Sequence, residues 1–483
     1  MDAKAKGFLR PGSGRNCSNC VSGNDELRTI LMTKASDINP SAINEFRARL
    51  RGKLLRPGDE EYNTARQVWN GMIDKHPALI VRCAEGSDVV NAIRFARNER
   101  LTVAVRSGGH SVAGHGVCDG GLMIDLSLMK RIWVEVDRCQ ARAEAGVTTG
   151  EFLSATQEFG LATPTCPRSD VGLSGLVLGG GIGWLTAKYG MTCDNLLAVD
   201  IVTADGKLFR ASPTEHPDLF WAVRGGGGNF GVVTALEFPL HPAQILAGMV
   251  IHPIERAREA LHFYREYTRS CPDNLTVDAA MVTSPDGHPV LGLIACYCGD
   301  HSEGEQVLAP MRSFGPPLAD LIRPMTIAEA HALADPFSPP GRNYYFRAYG
   351  LRDLADGAID HIARYGATRT SPFSAVVLRH FHGAATRVPP EATAVPLRDE
   401  QYILEVISQW TEGDAEPYLG WADRFASTIE PFTREGVSVN LLGDEGDARV
   451  RASYGASYSR LVRIKQKYDP TNFFHLNQNI KPH

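Results

Sequence analysis

Residues 224–238 read RGGGGNFGVVTALEF, and within them Gly226, Gly228 and Gly231 make a formal GxGxxG. That spacing marks a doubly wound dinucleotide fold only where it follows a strand and opens a helix. Here the order is inverted. A helix-like DLFWAVR at 218–224 comes first, and the alternating VVTALEF at 232–238 enters a strand. A nicotinamide site of the doubly wound type is therefore set aside, and the glycines need another reason.

Two further glycine clusters lie upstream, at 107–109 within VRSGGHSVAGHG and at 179–183 within LGGGIGWLTAKYG. Three clusters in so short a span exceed what turns need at an average glycine usage of about 7%. Main-chain amides freed of side chains form concave nests for anions, so a long diphosphate-bearing cofactor fits a chain that offers several such loops. No GxxxxGK[ST] and no GxSxG occurs. Phosphate-loop nucleotide hydrolases and elbow-type esterases are thereby disfavoured.

Outward from the glycines the chain reads as alternating short elements. SAINEFRARLRGKLLRPGDEEY reads as a surface helix ended by Pro57-Gly58, ALIVRCA as a buried strand, and Val89, Ile93 and Ala96 as one face of a helix capped by Ser87 or Asp88. Leu101 to Arg106 is a strand running into the glycines, GLMIDLS another, and RIWVEVD with ARAEAGV a hairpin. Thr148 and Glu151 form a capping box. Past Pro242 the glycines thin out, and TVDAAMV, PVLGLIACYC, SPFSAVVLRHFH and YILEVISQW read as longer strands. The domain boundary falls near residue 244.

The chain has 483 residues, 43% hydrophobic and 22% charged, more than one core usually holds. A net charge of −5 with scattered Lys and Arg speaks against nucleic acid and acidic membrane surfaces. Ten cysteines without dense spacing read as thiols, and the lone CxxC at Cys17 and Cys20 lacks further zinc ligands. The N-terminal residues show no apolar run of signal-peptide length, so a cytoplasmic protein is expected, a monomer or homodimer, with a flexible tail over residues 1–40 and no metal.

R-S-G-G-H at 106–110, the stretch 178–206, RGGGGNFGVVTALEF, and YDPTNFFHLNQNI at 468–480 together resemble FAD-linked oxidases of the berberine-bridge-enzyme-like branch of the vanillyl-alcohol-oxidase superfamily. Within it the pattern is most similar to 6-hydroxynicotine oxidase and polyketide-tailoring flavoenzymes. The resemblance implies an α+β fold. A PCMH-type FAD-binding domain of two α/β subdomains would span 41–244, and a substrate domain with an antiparallel sheet backed by helices would span 245–436. Residues 437–483 would return to the first domain.

The resemblance also implies that His110 is bonded to the flavin 8α carbon, which suits a nucleophilic imidazole flanked by glycines. Arg106, Ser107, Gly108, Gly109 and Ser111 would hold the pyrophosphate. Thr165, Val171, Gly172, Gly175, Gly179 and Gly180 would line the dinucleotide, Gly231 and Val233 its adenine side, and Asn440, Asn477 and Asn479 the flavin ring. Cys166 lies six residues before Gly172, and a free thiol beside the ring is preferred over a second covalent bond. For a base, Tyr345, His380, His382, Glu405 and Asp170 are the residues to test. The expected reaction is oxidation of a small alcohol, amine or phenolic or polyketide-type metabolite, with O2 as acceptor and H2O2 as product. A non-redox cyclisation on the same scaffold, a dehydrogenase with another acceptor, and a binding-only flavoprotein are the alternatives.

Overall fold

The computed structural model describes residues 38–483, so the tail expected over 1–40, with Cys17 and Cys20, lies almost wholly outside the described residues. The first sheet takes β1 (Lys53–Leu55), β2 (Leu79–Arg82), β3 (Val103–Arg106) and β4 (Leu122–Asp125) in the order β1-β2-β4-β3. β2, β4 and β3 are parallel, and their LIVR, LMID and VAVR runs are apolar on both faces, as a covered parallel sheet requires. The helix Gly86–Asn98 buries Val89, Ile93 and Ala96 against this sheet.

Two local readings are corrected here. The first helix stops at Ala48, and Lys53–Leu55 is a strand antiparallel to β2. Asp88 is the cause. Its buried carboxylate accepts the amides of Arg51, Gly52 and Ala84, so it draws the chain into an extended path instead of capping the helix by its own side chain.

The second sheet is antiparallel and contains β5 (Ile132–Glu135), β6 (Gln140–Glu144), β8 (Ala198–Val202), β9 (Leu208–Ala211) and β10 (Val232–Pro239), in the order β5-β6-β10-β8-β9. A small pair, β7 (Leu161–Ala162) with β11 (His241–Pro242), lies beside it. The expected capping box forms: Thr148 and Glu151 exchange side-chain bonds with each other's backbone amide.

The third sheet is the largest and is antiparallel throughout. Its strands are β12 (Ile245–Pro253), β13 (Leu275–Thr283), β14 (Pro289–Cys298), β15 (Ala319–Asp320), β16 (Arg323–Met325), β17 (Asn343–Leu351), β18 (Ala375–Phe381), β19 (Gln401–Trp410) and β20 (Thr433–Arg434). The order is β15-β12-β14-β13-β18-β19-β17-β20, with β16 also on β12. Side chains alternate across a strand. On one face Val277, Leu291, Val376 and Leu404 join Tyr264, Ile359 and Phe425 of three covering helices in a closed core. The other face looks back at the first two sheets.

After β20 the chain re-enters the first half. Val437, Leu442, Tyr454, Leu461 and Ile480 share one apolar core with Phe152, Leu173, Phe230 and Phe238. Buried Lys465 fixes this return. Its ammonium donates to Asn229 O, Phe474 O and Asp469 Oδ2 at 2.7–2.8 Å, joining the glycine loop after the helix Pro217–Val223 to the last segment.

Candidate functional site

β3 ends at Arg106, whose guanidinium grips Asp125 at the end of β4, Nη2 to Oδ2 at 2.7 Å, and so sets the exit of the loop that follows. The loop leaves from the carboxyl ends of parallel strands, the edge where α/β sheets bind ligands. Gly109 takes φ +75°, and the amides of Gly108, Gly109, His110 and Ser111 meet no acceptor among the described residues. A Cβ on Gly108 would collide with the backbone of Gly172, and one on Gly172 with Ser107 and Gly108. Two loops far apart in sequence are thus packed main chain to main chain.

Above this contact opens a cavity of about 480 Å³ between the first two sheets, the third sheet and the returning segment. Arg106 to Ser111, Cys166, Val171, Gly172, Gly175, Gly179, Gly231, Val233, Asn440 and Asn477 line it, as does Glu405. Gly175 and Gly228 have open space where a side chain would stand, and a Cβ on Gly179 would collide with Asn440 Oδ1. Asn440 is held by Nδ2 on Leu176 O at 2.8 Å. Asn477 Nδ2 donates to Gly228 O and Phe474 O, and the buried Oδ1 atoms of Asn477 and Asn479 have no partner among the described residues. Three of the expected cofactor residues stand back from the cavity: Thr165, Gly180 and Asn479 pack behind its wall. A groove of unpaired amides, open glycine surfaces and unsatisfied amide oxygens fits an elongated anionic cofactor with a polar ring edge.

The third sheet supplies the opposite wall. Met249, Ala280, Val282, Ile294, Val377, Ile403 and Ile407 make it aliphatic, interrupted by Asp278, Arg379, Glu405 and Gln409. Asp278 lies opposite Arg379 in the β13–β18 register, and Glu405 opposite Val377 in the β18–β19 register, so three charges meet on neighbouring strands. Arg379 Nη1 donates to Asp278 Oδ2 and its Nε to Glu405 Oε1, both at 2.6 Å. Burial pushes the Asp278 carboxyl up to about 6 against the pull of Arg379, with Glu405 adding repulsion. Burial works against the Arg379 cation, but Glu405 and Asp278 overcome it and hold the guanidinium firmly charged. Asp278 and Arg379 were not among the residues expected from sequence; a lone charge inside an apolar alternating run was the available signal.

The same alternation removes three of the expected bases. Tyr345, His380 and His382 all sit on the helix side of the sheet. Tyr345 donates to Asp423 at 2.8 Å. His380 and His382 stack at 4.3 Å, the first against Glu400 and the second bonded to Leu275 O, both buried. In β17 it is Phe346, not Tyr345, that faces the cavity, and in β18 Val377 and Arg379, not His380.

Asp170 contacts His110, Oδ2 to Nε2 at 3.0 Å, and takes a two-pronged pair from Arg168. Burial opposes its charge, yet the bond to His110 and the guanidinium of Arg168 bring its carboxyl down to about 2. Trp69 stacks on the His110 ring at 5.1 Å. Cys166 lies at the cavity wall with its thiol pushed up to about 12 by burial, so it stays protonated. The segment after β16 closes over this loop: Thr165 bonds His331, Ser169 bonds Asp335, and Arg168 donates to Ser338 O at 2.7 Å.

Residues 77–212 match the family model of an FAD binding domain, and residues 418–481 one described as berberine and berberine like. The FAD-linked oxidoreductase YgaK of Bacillus subtilis (strain 168) is 32% identical over 448 residues, covering 90% of this chain and 98% of the relative. Among solved structures, 6-hydroxy-D-nicotine oxidase from Arthrobacter nicotinovorans aligns with a TM-score of 0.83 at 29% identity, over 90% of this chain and 98% of that one. Glucooligosaccharide oxidase from Acremonium strictum, with a 6-S-cysteinyl, 8α-N1-histidyl FAD, shares the fold at a TM-score of 0.82 and 22% identity, over 92% and 99% of the two chains.

Proposed function

The chain belongs to the FAD-linked oxidoreductases, and from that premise we propose that it oxidises a small, largely apolar alcohol, amine or phenol, with FAD tethered to His110 and dioxygen as acceptor. Bound flavin supplies the two-electron chemistry and passes the electrons to the acceptor. The unpaired amides of Gly108 to Ser111 would hold its pyrophosphate, and Asn440 and Asn477 on the cavity wall would meet the ring edge.

The observation that carries the substrate reading is the third sheet's inner face: aliphatic side chains around one charged cluster. Glu405 accepts from Arg379 through Oε1 alone, which leaves Oε2 for a substrate O–H or N–H. Arg379, braced from its other side by Asp278, keeps that carboxylate in place. A wall of this kind suits a compact molecule with one polar reacting group, whereas a saccharide chain would need polar partners along its length. Cys166 is half-buried on the cavity wall and is read as a free thiol, which leaves a single tether at His110. This is unlike the doubly attached cofactor of the Acremonium enzyme.

Acid precipitation of the purified protein tests the tether. Yellow colour is expected to stay with the pellet and to be released to the supernatant in His110→Ala. Complete release from the unmodified protein overturns it. Peroxide formed in step with anaerobically confirmed flavin bleaching, across a panel of small alcohols, amines and phenols, tests the oxidase. Bleaching without reoxidation in air replaces dioxygen with another acceptor.

A further inference from the structure

We propose that Asp170 is the positioning residue that prepares His110 for its bond to the cofactor, by holding the Nε2 proton and leaving Nδ1 as the nucleophilic nitrogen. The inference rests on the tether reading above and concerns how the tether forms. An imidazole has two nitrogens, and the partner of one decides the state of the other. Asp170 Oδ2 lies 3.0 Å from Nε2, while Nδ1 has no protein partner among the described residues. Trp69 covers one face of the ring and is itself pinned by Nε1 on Ser338 O at 3.0 Å. The ring is thus held by a face and an edge, with its remaining edge on the cavity.

Asp170 is itself fixed. Arg168 grips both of its oxygens at 3.0–3.1 Å, and Arg168 is anchored to Ser338 O across the domain junction. Gly108 and Gly172 pack backbone on backbone between the two loops, so the His110–Asp170 spacing belongs to the fold and not to one mobile side chain.

The chemistry gives the carboxylate a task. As the Nδ1–C8α bond forms, one C8α–H proton leaves, and the alkylated imidazolium must shed the Nε2 proton that Asp170 holds. The electron pair enters the flavin, and dioxygen removes it together with two protons as hydrogen peroxide, restoring the oxidised ring. A fixed anion at Nε2 stabilises the charge that develops on the imidazole as it attacks, as a carboxylate does in other histidine dyads.

The test uses full-length protein and reads total flavin against the acid-insoluble fraction during incubation with added FAD. Asp170→Ala should bind FAD yet tether it about tenfold more slowly or worse. Asp170→Glu should restore tethering in part. Asp170→Asn, isosteric and able to accept a hydrogen bond from Nε2–H without carrying charge, should fall between the two, and it carries the test if the alanine variant does not fold. Tethering in Asp170→Ala and Asp170→Asn at the unmodified rate overturns the role while leaving the tether standing. Release of all colour from the unmodified protein overturns the tether, and the role with it.

Discussion

Glu405 and Asp278 share one guanidinium, so the state of Asp278 bears on how Arg379 is held. Below about pH 6 Asp278 is protonated and no longer braces Arg379 as an anion. Turnover is expected to rise with pH through about 6, and Asp278→Asn to displace that limb; a pH profile of kcat/KM with no change in the variant contradicts the arrangement. Glu405→Gln should lower kcat by roughly 10²–10⁴-fold with flavin content unchanged. At this scale the glycines were the legible residues. Gly108, Gly172 and Gly179 sit where a Cβ meets backbone or Asn440, and no other residue type signals close approach so directly. The charges were not legible in the same way. Arg379 and His380 are neighbours in SAVVLRHFH, and only the register of β18 between β13 and β19 sends the first to the cavity and the second to the helices.

The short helix Ile327–Ala332 shows how one element can set an acid limit. His331 donates from Nδ1 to Ile327 O at 2.7 Å, and its Nε2 lies 2.9 Å from the Thr165 hydroxyl, in a fully buried setting. Burial brings its pKa down from 6.5 to about 4, against raising contributions from the Ile327 bond and Asp335. Between those values the unfolded chain binds more protons than the folded one, so stability falls as pH drops from 6.5 towards 4. His115, His380 and His382, lowered to about 4 chiefly by burial, act in the same direction. Asp278, raised from 3.8 to about 6, acts in the opposite one, while His241 and His252, also lowered by burial, side with the other histidines. Melting temperature is expected to be lower at pH 4.5 than at pH 7, and a flat profile by calorimetry refutes this. Element types were largely readable because alternation and 3.6-residue periodicity come from burial on one face, as in β13, β14 and the helix Gly86–Asn98. The strand Lys53–Leu55 was not, because Asp88, more than thirty residues away, decides it.

At the scale of the molecule, three sheets enclose one cavity, and Lys465 locks the last wall in place. Lys465→Met leaves Asp469 as a buried uncompensated charge and should cost about 3–5 kcal/mol. Denaturant unfolding is expected to show that loss, with reduced flavin content in the purified variant; unchanged values for both contradict the role given to this lysine. The return of the chain after β20 could be anticipated from the asparagines at 440, 477 and 479, but its anchoring could not, since a lysine in an amphipathic helix reads as solvated until Asn229 and Phe474 are seen around it. The order of walls along the polypeptide also sets an order in time. The amides of 108–111 leave the ribosome early, the substrate sheet follows, and the residues that shut the cradle against Gly226–Asn229 come last. A nascent chain is therefore expected to offer only a half-built groove until the residues that bond Asn229, out to Ile480, have been made.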